Sequence, residues 1–245
     1  MLDSRNNHRF LLLQVRNPDD PMCSQEVRCF ARALGCSVDQ IRPFDLLHHF
    51  PSLDELDQGD MILIGGSGHY GAVQDAPWLD RALEGLRQLH SLSKPMFASC
   101  WGFQAMSRAL GGTVRKDVGH AELGTHELFL TPEGERDPLF GPLGHTFYGQ
   151  MGHEDRVVQL PADVVLLAST PLVEYQAYRL GDKPMYCTQF HPELNRENLV
   201  GRVEAYPEYV ESVSGMTMDS FVSSCRDTPE TETLLKRFID LFLAE

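Results

Sequence analysis

The chain has no apolar run approaching the eighteen or so residues that a membrane-crossing helix needs. The longest near its start, Phe10-Leu-Leu-Leu-Gln-Val15, is too short even for the core of a signal peptide. No Cys-x-x-Cys pair is present. The six cysteines, at 23, 29, 36, 100, 187 and 225, form neither a disulfide framework nor a zinc-site spacing. Of the ten histidines, His48 and His49 are adjacent and point to opposite sides if extended, so they do not form a metal pair. The glycine-rich stretch Gly65–Gly68 lacks the Lys-Ser/Thr of a phosphate-binding loop, and no nucleotide, metal or other cofactor is expected. Basic residues are scarce: 21 Lys and Arg stand against 35 Asp and Glu, a net charge of −14. So acidic a surface repels phosphate backbones and anionic lipid, which argues against nucleic acid or a membrane as partner. Reduced, unpaired thiols and the lack of a leader point to a cytoplasmic protein.

What is there is ordinary globular material, 42% hydrophobic and 23% charged over 245 residues, with no internal repeat and no linker. One domain spanning 1–245 is expected. Strand-like and helix-like segments alternate, the pattern of an α/β fold. Phe10–Val15 reads as a buried strand, and Ser24–Leu34 as a helix with Val27, Phe30, Ala31 and Leu34 on one face, stopped by Gly35. Met61–Ile64 is a strand running into Gly65-Gly-Ser-Gly68, Pro77–Leu92 a helix with leucines at helical spacing, and Lys94–Ser99 another strand. Trp101–Leu110 is then helical up to Gly111-Gly112. His120–Thr131 and His145–Tyr148 read as antiparallel pieces, and Val164–Ser169, Val173–Leu180 and Met185–Phe190 as further strands. From Arg196 onward the pattern is helical, with Thr228 expected to cap a last helix that begins at Pro229. The expected architecture is a largely parallel open sheet flanked by helices, with a small antiparallel region and a helical C-terminus.

Two segments carry reactive side chains. In Pro95-Met-Phe-Ala-Ser-Cys-Trp-Gly-Phe-Gln104 a cysteine sits between a buried strand and a helix, with Gly102 relieving crowding. That is the form of an elbow presenting a nucleophile at the carboxyl end of a sheet. At a helix N-terminus the dipole and free N–H groups favour thiolate over thiol. The same residues fit a small core-filling cysteine equally well. In Cys187-Thr-Gln-Phe-His-Pro-Glu193, residues two apart on an extended chain point the same way, so His191 and Glu193 can project together. Pro192 biases His191 toward extended torsions, and a carboxylate beside an imidazole fixes its tautomer and orientation. Alone, this segment fits a structural histidine near a solvated glutamate.

Taken together the segments resemble the class I (triad) glutamine amidotransferase family. Cys-Trp-Gly-Phe-Gln at 100–104 is similar to its nucleophile motif, Cys-x-Gly-x-Gln, and Gln-Phe-His-Pro-Glu at 189–193 to its histidine–glutamate motif. Ile64-Gly-Gly-Ser-Gly68 resembles the oxyanion loop, with Ser67 where the family has proline. Gly152-His-Glu-Asp155 resembles its Ser-His-Gly-Asp segment, with Gly152 for the serine and Glu154 for the glycine. The resemblance implies a Cys100–His191–Glu193 triad acting on the side-chain amide of glutamine. It implies an oxyanion hole from the backbone N–H groups of Gly66 and Trp101. It assigns Gln104 to the amino-acid end of the substrate, the backbone at Met151 and Gly152 to the α-carboxylate, and His153 and Asp155 to support. Tyr70, Gln74, Asp75 and Trp78, which follow the oxyanion loop, read as packing or surface residues, with shaping the mouth of the site as the alternative, and the other five cysteines read as bystanders.

The family usually pairs such a glutaminase with a domain that consumes ammonia, and none is expected within these 245 residues. The leading expectation is a stand-alone glutaminase, similar to that portion of GMP synthase, which feeds a separate synthase. A γ-glutamyl peptidase with water as acceptor, or a non-enzymatic binding module of the same fold, are the alternatives.

Overall fold

The computed structural model describes residues 8–243. Its strands are β1 (Phe10–Val15), β2 (Ile41–Asp45), β3 (Met61–Ser67), β4 (Met96–Ser99), β5 (Thr113–Lys116), β6 (Glu122–Leu130), β7 (Thr146–His153), β8 (Asp155–Gln159), β9 (Val164–Ser169), β10 (Ala177–Leu180) and β11 (Met185–Thr188). Nine of them form one sheet in the order β2-β1-β3-β4-β11-β10-β9-β6-β7, while β5 and β8 pair separately. From β2 to β11 the neighbours run parallel, and from β11 to β7 antiparallel. The α/β architecture expected from the sequence is present, and the antiparallel strands β6 and β7 continue the main sheet as its far edge.

The parallel half is made by strands apolar on both faces, as covering helices require. Along β1, Phe10 and Leu12 join a core with Phe30 and Phe238, while Leu11, Leu13 and Val15 join a second core with Leu79, Leu83 and Phe103. The first face is covered by α1 (Met22–Leu34) and α10 (Leu234–Phe242), the second by α3 (Pro77–Leu92) and α4 (Trp101–Ala109). Each such side chain, fully withdrawn from water, contributes about 1.5–3 kcal/mol. Helix α1 ends at Gly35, whose φ of 73° suits glycine and whose N–H closes onto Ala31 and Arg32. A third apolar cluster, including Leu199, Val203, Val210 and Phe221, packs α6 (Arg196–Glu204), α7 (Glu208–Ser214) and α8 (Met218–Ser224) near Leu123 of β6.

Two local expectations are corrected. The C-terminal helix beginning at Pro229 is two helices, α9 (Pro229–Glu232) and α10, broken at Thr233. Thr228 makes no side-chain cap; its hydroxyl accepts instead from the amide of Gln150, at 3.4 Å, tying the segment to β7. Strand β2 and the short helices α2 (Leu53–Asp57) and α5 (Pro132–Arg136) have no counterpart in the sequence reading. Strand β2 is an edge strand interrupted by Pro43, the kind of position that tolerates a missing N–H.

Candidate active site

Strand β4 delivers Cys100 to the start of α4 in a conformation that a side-chain-bearing residue rarely adopts, φ 52° and ψ −103°. The turn is held by the Cys100 N–H donating to Thr188 O at 2.8 Å and by the Gln104 N–H donating to Cys100 O. Gly102 allows α4 to lie against β3: a Cβ there would come 2.8 Å from Ile64 Cγ2. Cys100 is 8% exposed, and its Sγ is 3.6 Å from the carbonyl oxygen of Gly152.

His191 and Glu193 do converge, but by a route other than an extended strand. Strand β11 stops at Thr188, and the N–H of Leu194 donates to His191 O, so the pair sits on a turn. His191 Nδ1 lies 2.6 Å from Glu193 Oε1, both groups buried. Burial alone would lower the basicity of His191, but the Glu193 carboxylate and then the adjoining Cys100 sulfur outweigh it and raise its pKa to about 9. Burial likewise would push the Glu193 carboxyl up; His191, then Arg202, hold it below the usual range instead. The structure thus brings Cys100, His191 and Glu193 into one buried cluster.

The end of β3 closes beside it. A Cβ on Gly66 would sit 3.0 Å from His191 Cε1 and 3.8 Å from Cys100 Cβ, and one on Gly65 would strike Glu26 Oε1 at 2.4 Å. Both glycines therefore let backbone lie where no side chain fits. Ser67, in place of the family's proline, donates its hydroxyl to Tyr70 O. The N–H of Trp101 opens α4, and its indole stacks on Trp78 at 6.0 Å.

Gln104 is buried one turn along α4, its amide nitrogen donating to Asp155 O at 2.8 Å and to Gln189 Oε1 at 3.1 Å. Met151 is buried in β7, whereas Gly152 faces the cavity. A Cβ on Gly152 would meet only Leu123 Cδ1, at 3.8 Å. His153 is buried between Glu122 Oε2, at 3.0 Å, and Asp155 O, at 3.1 Å. Asp155 is raised above its ordinary pKa by burial. Glu154 pairs with Lys116 at 2.7 Å.

Cys100, Trp101, Gln104, Gly152, His153 and His191 line a cavity of about 460 Å³, together with Leu199, Arg202, Val203, Tyr206 and Tyr209 from the helical C-terminal region. Arg16, just past β1, also lines it; it is buried against Asp20 at 3.1 Å and Glu26 at 3.4 Å, and Tyr206 donates to Asp20. Sequence reasoning misses Arg16, Glu26, Arg202 and Tyr206. For Glu26 a signal exists: it lies four residues before Phe30, a charge within the apolar stripe of α1. For Arg202 there is none. Among the described residues no three His, Cys, Asp or Glu side chains gather as metal ligands, and no helix is long and apolar enough to cross a membrane.

The family model for glutamine amidotransferase class-I matches residues 25–199. Gamma-glutamyl peptidase 3 of Arabidopsis thaliana is 29% identical over 189 residues, covering 74% of this chain and 72% of its own. A glutamine-hydrolysing GMP synthase component of Methanothermobacter thermautotrophicus is 30% identical over 156 residues, covering 62% of this chain and 76% of its own. Among solved structures, a glutamine amidotransferase of Thermotoga maritima superposes with a TM-score of 0.76 over 98% of this chain and 100% of its own. At 17% identity that last likeness concerns the fold.

Proposed function

The chain belongs to the glutamine amidotransferase class-I family, and from that premise we propose that it hydrolyses the side-chain amide of glutamine through a thioester on Cys100, releasing ammonia for a separate acceptor enzyme. The observation that carries this reading is the 2.6 Å His191–Glu193 contact beside a cysteine lifted on a positive-φ elbow at the start of a helix.

In this reaction the Cys100 sulfur attacks the γ-carbonyl carbon. The carbonyl oxygen, now anionic, is met by the N–H groups of Gly66 and Trp101; losing one such donor costs about 2.7–4 kcal/mol of barrier. His191 gives its proton to the amide nitrogen, the C–N bond breaks, and ammonia leaves. The imidazole then takes a proton from water, which attacks the thioester; sulfur departs with the electron pair and glutamate is freed. Glu193 holds the ring in the required tautomer and stabilises the imidazolium. Gln104, with its nitrogen already engaged, offers its carbonyl oxygen to the substrate's α-amino end, and the backbone at Met151 and Gly152 meets the α-carboxylate. His153 and Asp155 support that part of the wall. The acceptor is a separate synthase, and the chain acts in the cytoplasm, where its six unpaired thiols stay reduced.

A second reading, cleavage of γ-glutamyl amides or peptides with water as acceptor, is favoured by the cavity. Its volume of about 460 Å³ falls in the range of roughly 300–1,000 Å³ that suits ligands larger than a single amino acid. Both readings use the same bond cleavage and differ in the amine released. The test is ammonia release from glutamine by the purified protein, run beside a panel of γ-glutamyl dipeptides, with Cys100→Ala as control. Release from glutamine that vanishes in the variant is the expected result. Cleavage of a dipeptide alone moves the assignment to the second reading, and turnover that survives in the variant defeats both.

A further inference from the structure

We propose that Arg202 of α6 is a positioning residue for the reaction, holding the Glu193 carboxylate ionised and aimed at the His191 ring. The proposal rests on the reading of Cys100, His191 and Glu193 given above. Arg202 is 9% exposed, with Nη1 3.8 Å from Glu193 Oε1 and Nε donating to Gln25 Oε1 at 3.0 Å. Among the described residues no carboxylate other than Glu193 lies within 4.0 Å of its guanidinium. Two buried atoms at this junction, Glu193 Oε2 and Arg202 Nη2, have no hydrogen-bond partner among the described residues. A fully buried carboxylate facing only one imidazole is expensive to keep charged; a second cation lowers that cost.

The other charged groups around the pair are already occupied. Arg16, from the end of β1, reaches toward Gly66 but is held by Asp20 and Glu26. Arg32 of α1 donates to the backbone oxygen of Glu193 at 2.9 Å and pairs with Glu232. Cys29, close by, is pushed up to about 11 by burial and stays a neutral thiol. Cys100 adjoins His191 from the start of α4. The Arg202 charge therefore falls on Glu193 and, through it, on the imidazole. Its helix presents Leu199, Val203 and Arg202 itself to the cavity, so the element that borders the substrate is the one that steadies the carboxylate.

A purely structural Arg202 would only join α6 to α1 through Gln25. Titration of the Glu193 carboxyl by nuclear magnetic resonance on glutamate-labelled, substrate-free protein separates the two roles. Removing the cation 3.8 Å away makes the carboxylate harder to keep, so in Arg202→Met the Glu193 midpoint moves upward, by about one unit or more. Arg202→Lys, which keeps the charge, leaves the midpoint near that of the parent. Gln25→Glu places a competing carboxylate against the guanidinium and moves it upward without touching Arg202, which serves should Arg202→Met not fold. Turnover in Arg202→Met falls about tenfold in kcat with KM within about twofold. A folded Arg202→Met whose Glu193 midpoint does not move overturns the proposal, as does an unmoved midpoint in Gln25→Glu. Because the titration needs no substrate, it decides the role of Arg202 even if the proposed reaction on glutamine fails its own test.

Discussion

The two halves of the main sheet are built on different physics. In the parallel half, β1, β3, β4 and β11 are apolar on both faces, and their carboxyl ends lead to Arg16, Gly65 and Gly66, Cys100 and His191. In the antiparallel half the apolar core of Leu128, Phe147 and Leu167 is joined, at the start of β6, by a buried polar cluster. Glu122 of β6 accepts from Thr170 at 2.8 Å, from His153 at 3.0 Å and from Gln176, all buried. Burial would push the Glu122 carboxyl up, and His153 and Thr170 hold it below its ordinary range. One half presents Cys100 and His191 to the cavity, and the other supplies Gly152 and His153 to its wall. The parallel half can place strained or charged residues at its edge because its stability is elsewhere. In the polar cluster of the antiparallel half, stability and the cavity wall rest on the same atoms.

The largest effects should therefore dissociate. Cys100→Ala is expected to remove turnover entirely while leaving thermal stability nearly unchanged, since a small buried group is replaced by one slightly smaller. Glu122→Ala, which strands His153 and two further donors in a buried space, is expected to cost about 3–5 kcal/mol in urea unfolding. Turnover per folded molecule should stay within about tenfold of the parent. A Glu122→Ala that keeps its stability, or one whose folded molecules are inactive, would break the comparison.

Gly66→Ala comes next. A Cβ 3.0 Å from His191 Cε1 obliges the ring to shift, and displacement of a reacting group can cost up to about a hundredfold in rate. A loss of at least about tenfold in kcat is expected, with little change in unfolding free energy. The pH response is smaller and belongs to the same edge. With His191 raised to about 9, the stability it contributes is complete below its unfolded value, about 6.5. That contribution is lost as pH climbs through about 9. Turnover should fall over the same limb, as the imidazole loses the proton it must deliver. A rate that declines from pH 6.5 instead would show the His191–Glu193 pair to be weaker than its geometry implies.

The contrast also explains what is legible in the sequence. Pro77–Leu92 can be bounded from its proline and its leucine spacing, and the structure has the same limits. The apolar run that stops before Cys100 announces the end of β4, because strands covered on both faces leave few polar residues to confuse the pattern; β3 runs on past its apolar part through Gly65 and Gly66 to Ser67, where the lack of side chains hides it. His191 and Glu193 pair as their spacing predicts, but from a different local conformation, since a turn after Pro192 and an extended strand both bring positions two apart together. The polar cluster gives no such signal. Nothing along the chain joins Glu122 to Thr170 and Gln176, 48 and 54 residues on, and Arg202 meets Glu193 only once α6 has folded over the sheet. Thr228 shows the same limit from the other side: a residue with good capping chemistry is claimed by a distant amide, Gln150, that no local rule can weigh.

The smallest expected effect tests the seam between the halves. The family's segment carries serine where this chain has Gly152, on β7 within 3.6 Å of the Cys100 sulfur through its carbonyl oxygen. If the backbone there, and not the side chain, supplies what the site needs, the change to glycine is neutral in geometry. A Cβ at 152 meets only Leu123 Cδ1 at 3.8 Å, ordinary van der Waals contact, and the residue does not occupy a positive-φ position. Gly152→Ser should therefore fold, with stability raised by a few tenths of a kcal/mol through the reduced freedom of the unfolded chain. Its kcat/KM should stay within about threefold of the parent, measured beside Gly66→Ala. If Gly152→Ser were as damaging as Gly66→Ala, the antiparallel wall would be as intolerant as the reacting edge, and the two halves would differ in composition but not in role.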